Sequence, residues 1–211
     1  MTLEALNATA LLDLAPVVPV VVLDDADAAV PLARALVKGG LPVIEVTLRT
    51  PAALTAVERI AAEVPDAVVG AGTIVTPADA EKSAAAGARF LVSPGCTPAL
   101  HEAMTGTGLP FLPGVSSASE AMALLEHGVT AMKFFPAEAA GGTAYLKSLG
   151  GPLPQIRFCP TGGITLDSAP RYLALPNVGC VGGSWLTPAD AVGAGDWDRI
   201  EDLAREAAAL R

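Results

Sequence analysis

The stretch VVPVVVLDDADAAVPLARALVKGGLPVIEVT, residues 17–47, carries the pattern from which the fold is predicted. It opens with an almost wholly apolar run, passes through an alanine-rich segment to the pair Gly39-Gly40, and ends in a second apolar run. Continuous apolar runs are typical of strands that are buried on both faces, as in parallel sheets. Glycine commonly ends a helix. The stretch therefore predicts a strand–helix–strand unit.

The same alternation continues along the whole chain. Eight apolar runs occur, at residues 17–23, 42–47, 67–71, 90–93, 109–112, 130–134, 155–159 and 178–181. Helical patterns lie between or after them, at residues 27–37, 52–62, 77–86, 97–105, 117–126, 168–174 and 200–210. This order predicts a parallel α/β fold. Eight units favour a single (β/α)8 TIM barrel over a doubly wound sheet, with an extra N-terminal helix at residues 3–14.

Composition and charge exclude several classes of protein. The chain has 211 residues, and 52% of them are hydrophobic, which is too many for a disordered chain. Its net charge of −9 argues against nucleic acid as a partner. The longest apolar run, residues 15–23, is too short to cross a membrane. No shift in composition divides the chain, so we expect residues 1–211 to form one cytoplasmic domain.

The second predicted strand carries three polar residues on one face. Glu45, Thr47 and Arg49 are two residues apart, and side chains at that spacing point to the same side of a strand. Active sites of barrels lie at the carboxyl ends of the strands. If this face is the barrel interior, a carboxylate, a hydroxyl and a guanidinium meet there. The alternative is an exposed edge strand.

The sixth predicted strand contains a lysine between apolar neighbours. The chain has four lysines, and Lys133 is the one that lies between Met132 and Phe134 inside a strand. Desolvation lowers the affinity of an amine for its proton, and a neutral amine can form a Schiff base with a carbonyl. Lys133 is therefore a candidate nucleophile. The alternative is a lysine that extends past its neighbours into solvent.

Glycines and hydroxyl residues follow several of the predicted strands. Strand seven ends in Thr161-Gly162-Gly163, and strand eight ends in Gly182-Gly183-Ser184. Glycine pairs after the last two strands of a barrel are typical of a phosphate site, although plain turns have the same composition. Thr73 follows strand three, and Pro94 follows strand four. The two histidines, His101 and His127, lack the spacing of metal ligands, so we expect no metal site.

Six segments closely resemble the bacterial 2-keto-3-deoxy-6-phosphogluconate (KDPG) and 4-hydroxy-2-oxoglutarate (KHG) aldolases, which are class I enzymes. The segments are EVTLRT (45–50), VGAGT (69–73), SPG (93–95), KFFPAE (133–138), RFCPTGGI (157–164) and GGSWL (182–186). The resemblance implies a (β/α)8 barrel that assembles as a homotrimer, acts on small 2-keto acids in Entner–Doudoroff-type catabolism, and needs no metal or organic cofactor.

The resemblance also implies a role for each matched residue. The Schiff-base lysine corresponds to Lys133, and the glutamate that transfers protons corresponds to Glu45. The groups that bind the pyruvate carboxylate correspond to Arg49 and Thr73. The remaining matches fall into two sets, the pocket-shaping residues Pro94, Phe135 and Thr161 and the phosphate-binding residues Gly162, Gly163 and Ser184.

One segment departs from the family, and two other functions fit part of the pattern. Many members carry a basic residue after the first strand, where this chain has Asp24 and Asp25. If that basic group helps to hold an anionic substrate, the acidic pair weakens binding of the phosphorylated substrate.

The two other functions that fit part of the pattern are an isomerase or epimerase that uses Glu45 as its base, and a non-catalytic sensor of phosphosugars.

Overall fold

Parallel strands and helices alternate throughout the computed structural model, which describes residues 6–210. The strands are β1 (Val17–Val21), β2 (Val43–Thr47), β3 (Val68–Gly72), β4 (Leu91–Val92), β5 (Phe111–Leu112), β6 (Gly114–Val115), β7 (Ala131–Phe134), β8 (Arg157–Pro160) and β9 (Val181–Gly183). The helices are α1 (Ala8–Leu11), α2 (Ala29–Lys38), α3 (Ala53–Glu63), α4 (Pro77–Ala85), α5 (Pro98–Gly106), α6 (Ala118–Leu125), α7 (Gly142–Leu149), α8 (Ala169–Leu173), α9 (Ala189–Ala194) and α10 (Trp197–Ala208).

The strands form two curled parallel sheets. The larger sheet has the order β5-β4-β3-β2-β1-β9, and the smaller one has the order β6-β7-β8. An isolated parallel bridge between Thr161 and Gly182 joins the end of β8 to β9. Neighbouring strands mostly follow each other along the chain, whereas a doubly wound sheet reverses its strand order. The predicted α/β class with parallel strands is confirmed, and the doubly wound alternative does not fit.

The two faces of the strands pack against different partners. Outward residues such as Ile44, Val46 and Met132 belong to a large apolar cluster that includes the buried faces of the helices. Inward residues from eight strands or their ends form a second cluster, together with Leu11 and Leu12 of the N-terminal segment. Its strand members include Val18, Val43, Val68, Val92, Leu112, Ala131 and Cys159. Because alternate residues of a strand face opposite sides, each strand has one inward face, which the site residues share.

Local signals explain where two of the helices begin. Thr76 and Ser117 each accept a hydrogen bond from the backbone three residues ahead, and an acidic residue at that position bonds back to the cap. This reciprocal capping box satisfies two backbone groups that a helix terminus otherwise leaves without partners. Thr76 lies directly before the first residue of α4, and Ser117 lies directly before the first residue of α6.

Three parts of the fold differ from the prediction. The fifth predicted strand continues past Pro113 as β6, because a proline interrupts the backbone ladder but leaves the chain extended. Helices α7 and α9 lie in segments for which no helix was predicted. Within the described residues, the predicted helix at residues 3–14 is reduced to Ala8–Leu11, and its predicted start at Leu3 lies outside them. Across residues 6–210, no helix has the length and apolar character needed to cross a bilayer.

Candidate active site

The inward face brings together the two residues that were singled out as chemically active. Lys133 on β7 and Glu45 on β2 lie 88 residues apart in the chain, yet Nζ of Lys133 is 3.1 Å from Oε1 of Glu45. Their side chains are only 4% and 3% exposed. The exposed edge strand and the solvent-directed lysine are therefore both wrong. Two buried opposite charges in contact form a site where a proton can pass between an amine and a carboxylate.

Glycine on a neighbouring strand makes room for each large inward side chain. A Cβ atom at Gly72 would lie 2.1 Å from Oε1 of Glu45. The same relation holds between Gly70 and the ring of Phe90, and between Gly182 and Oγ1 of Thr161. Real Cβ atoms do not approach other atoms this closely. Each of these glycines is therefore required by the side chain beside it.

We expect Gly72→Ala to disrupt the site without unfolding the chain. The added methyl group displaces the Glu45 carboxylate from Lys133, and a misplacement of about 1 Å can lower a rate by about 10²-fold. Steady-state kcat/KM for the aldol cleavage that the resemblance implies measures the effect. Gly151→Ala is the control, because a Cβ atom there has no neighbour within 4 Å. Equal activity of the two variants would refute the steric argument.

Arg49 and Thr73 meet at the carboxyl ends of β2 and β3. Nε of Arg49 donates to Oγ1 of Thr73 over 3.2 Å, and Arg49 itself is exposed. Thr73 has a φ of 61°, in the left-handed region that a β-branched residue rarely adopts. Such strain is typical of functional positions. The pair thus places a cation and a hydroxyl at the mouth of the inward face.

Thr47 has a structural contact instead of a free hydroxyl. Its Oγ1 donates to the carbonyl of Val21 over 2.9 Å, and the residue is fully buried. We expected Glu45, Thr47 and Arg49 to point to one side of β2, and their common face agrees with this. However, the hydroxyl of Thr47 joins β2 to β1, and Arg49 lies beyond the end of the strand.

Phe135 lies beside the lysine, and Pro94 lies against the neighbouring strand. The ring centroid of Phe135 is 5.4 Å from Nζ of Lys133, within the range of a cation–π contact. Pro94 packs against Gly114, where a Cβ atom would lie 2.3 Å from the Pro94 carbonyl. Gly114 is in turn the register partner of Lys133 on the adjacent strand. Phe135 therefore directly follows the strand that carries the amine, whereas Pro94 lies against β6, the neighbour of that strand.

The two glycine-containing segments after β8 and β9 are neighbours. Thr161 is buried and pairs with Gly182 through the bridge between the two strands. Gly162 and Gly163 have φ values of 105° and 78°, which glycine adopts at little cost. Ser184 is exposed, one residue beyond Gly183. Backbone N–H groups and a hydroxyl thus follow adjacent strands, as expected of a phosphate site.

The acidic pair after β1 lies in an exposed turn. Asp25 accepts a hydrogen bond from the backbone N–H of Asp27 and so caps a short 3-10 turn. Asp24 is exposed. The hydroxyl of Thr50 donates to the carbonyl of Leu23 and joins this turn to the residue after Arg49. The carboxylates of Asp24 and Asp25 therefore lie at the same end of the strands as Arg49, the proposed carboxylate-binding residue.

Comparison with known proteins identifies the family. Residues 8–203 match the model of the KDPG and KHG aldolases. This chain belongs to the KDPG and KHG aldolase family. The chain is 55% identical over 194 residues to the 2-dehydro-3-deoxy-phosphogluconate aldolase of Pseudoalteromonas atlantica. The aligned residues make up 92% of this chain and 90% of the relative. The chain is 52% identical over 201 residues to the KHG/KDPG aldolase of Escherichia coli K12, covering 95% and 94%.

A solved relative has the same fold and carries a bound reactant. The KDPG aldolase of Legionella pneumophila superposes on this aldolase with a TM-score of 0.94 at 46% identity, covering 96% of this chain and 98% of the other. In that structure pyruvate was captured as a covalent carbinolamine intermediate. The predicted family is thereby confirmed, and with it the enzyme class: the chain is an aldolase, a carbon–carbon lyase.

Proposed function

We propose that this aldolase cleaves 2-dehydro-3-deoxy-6-phosphogluconate to pyruvate and glyceraldehyde 3-phosphate, and 4-hydroxy-2-oxoglutarate to pyruvate and glyoxylate, through a Schiff base on Lys133. The observation that carries the proposal is the contact of 3.1 Å between Nζ of Lys133 and Oε1 of Glu45, whose side chains are only 4% and 3% exposed. An amine nucleophile and a carboxylate within hydrogen-bonding distance are the two groups that this reaction needs.

Imine formation uses the pair first. Glu45 accepts a proton from the ammonium group of Lys133, and the neutral amine attacks the C2 carbonyl of the keto acid. Glu45 returns its proton to the hydroxyl of the carbinolamine that forms, and water leaves, so that a protonated imine and the Glu45 carboxylate remain. The carbinolamine captured in the relative from Legionella pneumophila supports this step. The imine withdraws electrons from C3, and the next bond to break is therefore the C3–C4 bond.

Carbon–carbon cleavage uses Glu45 again. The carboxylate removes the proton of the C4 hydroxyl, directly or through one water molecule. The C3–C4 bond breaks, its electron pair moves into the imine, and an enamine remains on Lys133 while the aldehyde leaves. Protonation of the enamine at C3 and hydrolysis of the imine release pyruvate and the free amine. Acid–base assistance of this kind contributes about 10²–10⁴-fold.

The other residues bind the two ends of the substrate. Arg49 forms a charge-assisted hydrogen bond with the keto-acid carboxylate, and Thr73 donates its hydroxyl to the same group. Pro94, Phe135 and Thr161 shape the pocket around the imine. Gly162 and Gly163 offer backbone N–H groups to the distal phosphate, and Ser184 offers its hydroxyl. Each assignment is supported by the positions described above and by the family's motifs.

Reductive trapping tests the proposal. Incubation with pyruvate and borohydride is expected to inactivate the enzyme, and peptide mass spectrometry is expected to locate an N-(1-carboxyethyl) adduct on Lys133. Incubation with borohydride alone is the control and leaves the amine unmodified. An enzyme that turns over a keto acid without forming the adduct would instead support the isomerase or epimerase function. Binding of a phosphosugar without turnover or an adduct would support the sensor.

We further propose that residues 1–211 form one (β/α)8 barrel domain that assembles as a cytoplasmic homotrimer. The bridge between Thr161 and Gly182 supports closure at one junction of the two sheets, and packing of Gly114 on Pro94 supports it at the other. With β5 and β6 counted as one strand interrupted by Pro113, the two sheets contain eight strands. Light scattering after size-exclusion chromatography tests the assembly, and a mass other than that of three chains refutes it.

A further inference from the structure

The segment that follows Lys133 is joined directly to the glycine loop after β8. The backbone N–H of Ala137 donates to the carbonyl of Thr161 over 2.8 Å, and that of Glu138 donates to the carbonyl of Gly162 over 3.1 Å. These bonds extend the pairing of β7 with β8 beyond the ends of both strands. The loop to which the phosphate role is assigned is thereby held by the residues that follow the nucleophile.

Glu138 also packs against this loop with its side chain. A Cβ atom at Gly163 would lie 2.9 Å from both Cβ and Cγ of Glu138. Gly163 has a φ of 78°, which disfavours any other residue there. The stem of Glu138 therefore occupies the space beside the loop, and its position affects where the N–H groups of the loop point.

The carboxylate of Glu138 is held from the other side of the loop. The hydroxyl of Tyr172 on α8 donates to Oε1 of Glu138 over 2.7 Å. Tyr172 is only 1% exposed, and α8 begins soon after the glycine loop ends. Burial raises the pKa of Tyr172, and the bond to Glu138 raises it further, so the phenol remains a donor throughout the neutral range.

We propose that the hydrogen bond between Glu138 and Tyr172 is a positioning element that sets the distance between the glycine loop and Lys133 and thereby the preference for the phosphorylated substrate. The bond links both chain segments that flank the loop, the turn after β7 and the helix α8. This inference rests on the proposed function, because it assumes that the loop binds the distal phosphate.

The two substrates separate this role from a general effect on structure. The keto-acid end of either substrate meets Lys133, Glu45, Arg49 and Thr73, which lie on β2, β3 and β7 or at their ends. Only the phosphorylated substrate reaches the loop after β8. Loss of the bond therefore raises KM for the phosphorylated substrate and leaves imine chemistry and the KM for 4-hydroxy-2-oxoglutarate unchanged.

Tyr172→Phe is the test variant, and Tyr145→Phe is its matched control. Tyr145 lies on α7, which does not carry the loop, and its hydroxyl accepts a hydrogen bond from the backbone N–H of Ala118 over 3.1 Å. The control variant removes this hydroxyl. We expect Tyr172→Phe to raise KM for the phosphorylated substrate about five- to tenfold, the factor that corresponds to one hydrogen bond. Its kcat, its KM for the other substrate and its trapping by pyruvate stay within about twofold of the wild type, as do all values of Tyr145→Phe.

A second variant tests the same hydrogen bond by changing its exposed partner, Glu138. Glu138→Ala removes the acceptor and, with it, the Cγ atom beside Gly163, so we expect a rise in KM at least as large as that of Tyr172→Phe. The double variant adds nothing further, since both changes remove one bond. Glu138→Gln retains an acceptor oxygen and restores most of the wild-type KM. Thermal unfolding confirms that each variant is folded.

The outcomes separate this inference from the proposed function. A wild-type enzyme that forms no pyruvate adduct overturns the proposed function, whatever the variants do. An enzyme that forms the adduct, but whose Tyr172→Phe variant changes KM equally for both substrates or not at all, overturns the positioning role alone. Additive effects of Glu138→Ala and Tyr172→Phe also overturn it.

Discussion

Lys133→Met is expected to abolish aldol cleavage, with kcat lowered by about 10⁴-fold or more, because removal of a covalent nucleophile eliminates the step on which all later steps depend. Methionine has a similar length and fills the space between Glu45 and Phe135 with an apolar side chain. The pyruvate adduct is also expected to disappear from the mass spectrum after borohydride treatment. A coupled assay of pyruvate release measures the residual rate.

The control for this change is another lysine, and stability is measured beside it. Lys147→Met alters an amine on α7 and should leave turnover and trapping unchanged. Lys133→Met leaves the Glu45 carboxylate buried without its cation, which is expected to lower the stability of the fold. Its melting temperature is therefore compared with that of the wild type before rates are interpreted. A folded Lys133→Met enzyme with substantial activity would rule out the Schiff base.

Glu45→Gln is expected to show the second largest effect, a fall in kcat of about 10²–10⁴-fold. The amide cannot take the proton of the C4 hydroxyl, but its oxygen still accepts a hydrogen bond from the amine of Lys133. Imine formation with pyruvate therefore persists at a reduced rate, and borohydride still yields an adduct on Lys133. The diagnostic result is an enzyme that can be trapped but turns over very slowly.

A glutamate on the outer surface provides the comparison for this variant. Glu58→Gln changes an exposed residue on α3 and should leave both trapping and turnover as in the wild type. Full turnover by Glu45→Gln would assign the proton transfers to another group. Loss of trapping together with turnover, in a folded variant, would mean that the carboxylate is needed to generate the neutral amine.

Much of the inward face was predictable because strand geometry is local. A spacing of two residues places Glu45 on the same face as Val43, and the apolar neighbours of Lys133 indicate a buried strand. The structure agrees, since Val43 and Ala131 belong to the inner cluster while Met132 and Phe134 pack outward. Parallel pairing then brings residues of distant strands to the same depth.

Several elements could not be predicted because their signals are weak or conflicting. Helix α7 begins at Gly142 with a φ of 59°, and glycine near the start masks the helical pattern that follows. Helix α9 has six residues and includes Gly193, which is too short and too glycine-rich for a periodicity argument. Proline at 113 indicated a turn, whereas the chain resumes as β6.

Contacts between distant residues were also beyond local patterns. The rings of His101 and His127 lie 4.7 Å apart, although the two residues belong to different helical segments of the sequence. The bond from Tyr172 to Glu138 spans 34 residues and joins a turn to a helix. No spacing rule connects such pairs, because the packing of whole elements determines which side chains meet.

The alternation of large side chains with glycines on neighbouring strands has a consequence for how this layer of inward side chains can change. Gly70 with Phe90, Gly72 with Glu45, and Gly182 with Thr161 each share one volume between two positions. The two positions of each pair must therefore change together. A larger residue at one position is tolerated only when the residue at the other position becomes smaller. In a combinatorial library that varies these six positions one at a time, most variants hold more side-chain volume than the interior can accept. A library that varies them as three coupled pairs explores new pocket shapes at constant volume.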